Sequence, residues 1–403
     1  MKNGGLSDAP QIERWPAPEQ VEVRSLSELP TQDLESSRNW QVDVHSADLS
    51  GLDLSSRLRD LLFADFDSRT LWPQHLPQGF DPGRVMELGG NPGLGLRTLH
   101  QSGIDGRNIG IGIMDAHALY LDHQEYRDRI RFYQEIQPNQ QEARIHFSMV
   151  VSAASGRTVG VAPGADLYVV AFTPDFRPPR KAGDRPYATH IAQALDRLRE
   201  LNESLPRQRT IRVIVCPLGF QPGSPYTEMV LPAIERARRA GIFVVSCSVD
   251  ETYRDQGISF NETIGMGRAP MADPDRVESY GPAYHSEKDF RAKRQPLQRL
   301  LVPMDSRTLA SATGPADYFF VRHGGSSWVA PYIAGLYALC CQVRPKITPG
   351  QFFRLSLQTG DTTQATCRGV TRPYGTIINP SRLIDALRDP DLDQGSRLPQ
   401  ALQ

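Results

Sequence analysis

The chain has 403 residues, with 45 Lys and Arg against 46 Asp and Glu and a formal net charge of -1. That length fits one large α/β domain carrying an extension. The balanced charge gives no field to draw in nucleic acid or an anionic membrane, and no apolar run is long enough to span a bilayer, so neither is expected as a partner. Five cysteines (Cys216, Cys247, Cys340, Cys341 and Cys367) show no CxxC spacing. Most lie in apolar segments, which predicts buried free thiols, with no metal and no cofactor. The opening "MKNGGLSDAPQIERWPAPEQ" has no apolar stretch after its charge, so the expectation is a cytoplasmic protein.

In chain order, residues 1–39 are rich in Pro, Glu, Gln and Ser without periodicity, which predicts a mobile arm. In residues 40–105 apolar positions return, and Leu54, Leu58, Leu61 and Leu62 read as one helical face that docks on the rest of the chain. The glycine-rich "ELGGNPGLGLRTLH" of residues 87–100 lacks the lysine and the preceding strand of a phosphate loop. It predicts a turn leading into a short helix. Residues 106–388 form the main domain, where strand and helix patterns alternate as in a parallel sheet with crossover helices. "NIGIGIMD", "ADLYVVAF", "IRVIVCPL" and "GIFVVSCS" read as buried strands. Ile191, Leu195 and Leu198 mark one helix; Val230, Ile234 and Ala237 mark another, with Pro232 in its first turn. Residues 389–403 are a polar tail.

Three residues then stand out together. Asp115 ends the first of these strands, His146 opens a small-residue helix, and Ser326 and Ser327 sit on a glycine hinge at the mouth of the helix in "HGGSSWVAPYIAGLYALCC". Each alone has an ordinary reading as a cap or a satisfied structural side chain. In the order Asp, His, Ser they match one known arrangement of a catalytic triad. A serine hydroxyl is a weak nucleophile until an imidazole takes its proton, and the imidazole needs a carboxylate to hold its tautomer. The helix start adds backbone N–H groups where an oxyanion forms.

From about residue 106 to 359 the chain resembles the subtilisin-like serine peptidases. "GIGIMDAHALYLDHQEY" is similar to their Asp strand, "HFSMVVSAASGRTVGVAPGADL" to their His motif, and "GGSSWVAPYIAG" to their Gly-Thr-Ser-x-Ala-x-Pro-x-x-Ala-Gly. The resemblance implies a three-layer α/β/α fold with a mostly parallel central sheet, plus an N-terminal extension. It further implies a serine endopeptidase working through an acyl-enzyme, with Ser327 as nucleophile, His146 as general base and Asp115 orienting it. "CPLGF" resembles the strand that pairs with an extended peptide or protein substrate, with Leu218 and Gly219 as the matched pair and Val249 opposite them. At the family's oxyanion asparagine this chain has Asp250, with Asn261 as the alternative donor. Phe147 and Ser148 replace the glycine and threonine after the histidine, implying a bulkier loop beside the base. The second reading is a catalytically impaired peptide-binding module. The oligomeric state is left open.

A carboxylate at the oxyanion position repels developing negative charge, and only its protonated form donates a hydrogen bond. Asp250→Asn is therefore expected to raise kcat/KM on a mixed peptide library at pH 7.5 by about tenfold or more. An Asn variant no faster than the parent would remove Asp250 from that role.

Overall fold

Short runs of Ile, Val and Phe that are apolar at successive positions suit strands covered on both faces, and such runs build the centre of the molecule. The computed structural model describes residues 9–33, 40–138, 141–173, 186–220, 225–247, 263–282, 299–367 and 370–389. Its six-stranded sheet consists of β1 (Gln11–Ile12), β2 (Gly110–Ala116), β3 (Ile130–Ile136), β4 (Asp166–Phe172), β5 (Ile211–Cys216) and β6 (Phe243–Ser246). The strand order is β1-β3-β4-β2-β5-β6 and every pairing is parallel. The four strands read from the sequence are β2, β4, β5 and β6.

Four helices position the site: α1 (Ile145–Ser155), α2 (Pro186–Glu203), α3 (Pro225–Arg239) and α4 (Ser326–Val343). α2 packs on α3, and α1 packs on α4. Gly112 of β2 shows which pair covers which face. A Cβ there would lie 3.3 Å from Leu198 of α2. Alternate strand residues point to opposite faces, so Ile111, Ile113 and Asp115 face the other layer, where α1 and α4 sit. That is the α/β/α arrangement expected. α4 approaches α1 closely because residue 335 is glycine: a Cβ at Gly335 would fall 2.6 Å from the Val161 Cβ and 2.9 Å from the Ala154 carbonyl oxygen. Pro232 is a correction. It lies inside α3, which begins at Pro225, so its missing N–H interrupts a helical ladder already under way.

A second, five-stranded sheet joins Tyr280–Pro282, Thr263–Arg268, Leu300–Pro303, Val370–Ile377 and Asp361–Cys367 in that order. Its inner pairings are parallel and its outer ones antiparallel. Among the described residues no helix is long and apolar enough to cross a membrane. Cys216, Cys340 and Cys341 are buried free thiols and Cys247 is a half-buried one.

The leucines of the extension do not share one helix. Only Leu58–Leu61 is helical, because the Asp53 carboxylate accepts the Ser55 N–H at 3.0 Å and holds the chain in a turn just before it. Leu54 and Leu61 are nevertheless buried, in a core with Phe66, Phe80, Val85 and Phe320. The short strand Phe66–Asp67 pairs antiparallel with Tyr318–Val321, and the Phe66 and Phe320 rings lie 5.1 Å apart. A buried side chain of that size contributes about 1.5–3 kcal/mol. The composition of residues 1–39 predicts a loose arm; residues 9–33 pack instead. β1 adds to the edge of β3, Arg14 pairs with Glu135 at 2.8 Å, and Leu29 enters the extension's core. Glu135 and the β3 edge lie more than a hundred residues beyond their partners in this polar segment, which composition does not register.

Candidate active site

Asp115 is the sixth residue of β2, at the carboxyl end of the strand, and is buried. One carboxylate oxygen accepts the Ala116 N–H at 2.7 Å. The other lies 2.6 Å from Nδ1 of His146, the second residue of α1. An ionised carboxylate only accepts, so Nδ1 carries the proton and the neutral ring presents Nε2 as a lone pair. The Asp115 side chain is 2% exposed and that of His146 41%, so the bond is shielded while the ring reaches solvent. Burial pulls the imidazole pKa down, but the Asp115 charge and hydrogen bond outweigh it, and the net value is raised above the ordinary one.

Ser327 is the second residue of α4. Gly325 precedes the helix in extended conformation as its N-cap, and Gly324 fits where a Cβ would come within 2.6 Å of the Met304 side chain and 3.0 Å of the Asp305 N atom. Pro331 lies four residues after Ser327 and has no N–H, so the Ser327 carbonyl loses its helical donor. The Trp328 ring stands against His146, with ring centroids 5.3 Å apart. Triad candidates from two helices and a strand are thus brought to one end of the sheet. The Ser327 hydroxyl points elsewhere. Its Oγ donates to the Pro217 carbonyl oxygen at 3.5 Å, and no hydrogen bond joins it to His146 among the described residues. The Cys247 thiol, just past β6, lies beside the hydroxyls of Ser326 and Ser327. Burial pushes its pKa up to about 11, so it stays protonated beside the serine at neutral pH.

Leu218 and Gly219 follow β5. Leu218 is half-buried, donates its N–H to the Cys216 carbonyl oxygen at 2.7 Å and accepts from the Cys247 N–H at 3.0 Å, while Gly219 is exposed. Val249, Asp250 and Asn261 lie outside the described residues. Phe147 is a correction: it is fully buried in the core, because adjacent helical positions point about 100° apart, and it adds no bulk beside the base. His123 is structural; both ring nitrogens are bonded, to the Asp317 carbonyl oxygen and the Glu125 N–H.

No family model matches the chain, and no curated protein matches it in sequence. Among solved structures the chain is similar to the prenylagaramide maturation protease PagA, at 14% identity over 73% of this chain and 98% of that one, with a TM-score of 0.46. It is also similar to a cold adapted subtilisin-like serine proteinase, at 15% identity over 67% of this chain and 89% of that one, with a TM-score of 0.41. The likeness is one of fold.

Three neighbours of the site carry no signal in a single sequence. The Pro217 carbonyl is a backbone group, Trp328 reads as one more apolar helix position, and Cys247 reads as a buried thiol. Each touches the site only because β5, β6 and α4 end together.

The effect of Asp115 on His146 has a definite sign. Asp115→Asn removes the charge that raises the pKa while keeping an acceptor oxygen, so the imidazole should titrate lower than in the parent. Proton NMR titration of His146 in both forms checks this. An unchanged midpoint would show that the carboxylate does not govern the ring.

Proposed function

We propose that this chain is a subtilisin-like serine endopeptidase. The observation that carries the reading is the shielded 2.6 Å bond between Asp115 and a half-exposed His146, set beside Ser327 at the start of α4. In the proposed reaction Ser327 Oγ turns from the Pro217 carbonyl toward His146 Nε2, gives up its proton there and attacks the scissile carbonyl carbon. Catalytic hydrogen bonds of this kind are often long or misaligned in the free enzyme and tighten with substrate. The Ser327 N–H and the positive end of α4 face the developing oxyanion, with Asp250 or Asn261 as the second donor. His146 then returns the proton to the leaving amine. Water, activated by the same imidazole, hydrolyses the acyl-enzyme, and Asp115 holds the ring throughout. The substrate is a peptide or protein strand laid along Leu218 and Gly219, with Val249 opposite. We place the reaction in the cytoplasm, where unpaired thiols such as Cys340 and Cys341 stay reduced.

A second reading, a peptide-binding module with impaired turnover, is favoured by one observation: the Ser327 hydroxyl is bonded to Pro217 and not to His146. Phe147 lends it no support, since that ring points into the core.

A fluorophosphonate probe separates the two. Covalent labelling of the intact protein is expected, its abolition by Ser327→Ala, and only a weaker signal in Ser326→Ala. Absence of labelling from pH 4 to 9 would support the binding module, and equal loss in both variants would move the nucleophile by one position.

A further inference from the structure

The helices that carry His146 and Ser327 lack caps of their own. Neither Arg144 before α1 nor Gly325 before α4 places a side chain on the first N–H groups. A helix start leaves several donors without intrahelical acceptors, and satisfying one from a side chain fixes where the first turn lies.

At α1 the acceptor comes from far upstream. One oxygen of the Glu19 carboxylate accepts the N–H of Ile145, the residue before His146, at 2.9 Å, and the other accepts from the Arg144 guanidinium at 2.9 Å. The Glu19 backbone is itself fixed, donating to the Ala312 carbonyl oxygen at 2.9 Å, and its carboxylate side chain is only 12% exposed. Ahead of α4 a carboxylate holds the loop, three and four residues before the helix begins. A fully buried Asp65 accepts the Arg322 N–H at 2.6 Å and the His323 N–H at 3.3 Å, and its second oxygen lies 3.1 Å from His323 Nδ1. The Arg322 guanidinium donates to the Leu62 carbonyl oxygen at 2.9 Å and stands over the Phe63 ring. Only Gly324, Gly325 and Ser326 separate this anchor from Ser327. Gly324 is closely packed against Met304 and Asp305, so the pinned entry point carries through to the start of α4.

We propose that Glu19 and Asp65 are positioning residues: carboxylates from the N-terminal segment hold the backbone entries to the two helices on which His146 and Ser327 are mounted, making that segment a working part of the site. Its link to catalysis rests on the peptidase reading; the positioning itself does not. A hydrogen bond to a charged acceptor counts for more than a neutral one, and small misplacement of reacting groups costs rate more than binding.

The test uses the full chain and two readouts. In Glu19→Ala, hydrogen exchange at the Ile145 amide should rise about tenfold or more while amides of β2 and β4 keep their protection. Glu19→Gln retains an acceptor oxygen and should restore most of that protection. On a peptide substrate, kcat should fall by about tenfold with KM changed less than about twofold, again with rescue by Gln. Asp65→Ala should raise exchange at Arg322 and His323, and Asp65→Asn, which keeps the one acceptor oxygen that takes both N–H groups, should restore most of that protection. Glu22→Ala, a control at an exposed carboxylate of the same segment, should change none of these. Unaltered Ile145 exchange in Glu19→Ala, or a loss of protection spread evenly over the sheet, would overturn the proposal. A wild-type protein without turnover would defeat the peptidase reading, and the exchange data would still decide the positioning.

Discussion

Parallel pairing is the constraint on which the site depends. Six strands running the same way bring all their carboxyl ends to one edge, and each must be followed by a crossover that leaves from that edge. Asp115 is the last but one residue of β2 there, Pro217 and Leu218 follow β5, and Cys247 follows β6. α1 and α4 start at the same edge, so their exposed N–H groups and the two side chains of their first turns meet the strand ends. A strand-end carboxylate, a first-turn imidazole and a first-turn hydroxyl become neighbours through topology, although residues 115, 146 and 327 are far apart in the chain.

The two halves of the constellation differ in strength. The Asp115 to His146 contact is short, charge-assisted and shielded, the setting in which a hydrogen bond fixes an orientation firmly. The Ser327 to Pro217 contact, at 3.5 Å, is at the weak limit of hydrogen-bond geometry and costs little to break. The imidazole is therefore held in place and the Ser327 hydroxyl is free to turn. The weakly acidic Cys247 thiol is a neutral neighbour of Ser326 and Ser327.

Much of this was legible from residue order. Ile111, Ile113, Val169, Val170, Val213, Val215, Val244 and Val245 announce strands because a parallel strand is buried on both faces and needs no polar alternation. Asp115, His146 and Ser327 could be picked out because their order and helix-mouth context are restrictive. Side-chain direction was less legible. Phe147 sits beside the base in sequence yet points into the core, and Pro232 suits a first turn in composition yet lies within α3. Long-range partners were the least legible. Glu19, Asp65 and Arg14 look like ordinary surface charges, and only the folded chain shows their acceptors and donors at residues 145, 322 and 135. The separation of the second sheet from the first also depends on tertiary pairing that no local pattern encodes.

The central claim is that Ser327 turns from Pro217 to be activated by an imidazole already held by Asp115. A crystal structure of the chain after reaction with a peptidyl phosphonate tests it most directly. The account predicts a bond from phosphorus to Ser327 Oγ, a phosphonyl oxygen on the Ser327 N–H, and His146 Nε2 within about 3 Å of the adduct with its Asp115 bond intact. An adduct on another residue, or one at Ser327 with His146 out of reach or parted from Asp115, would contradict it.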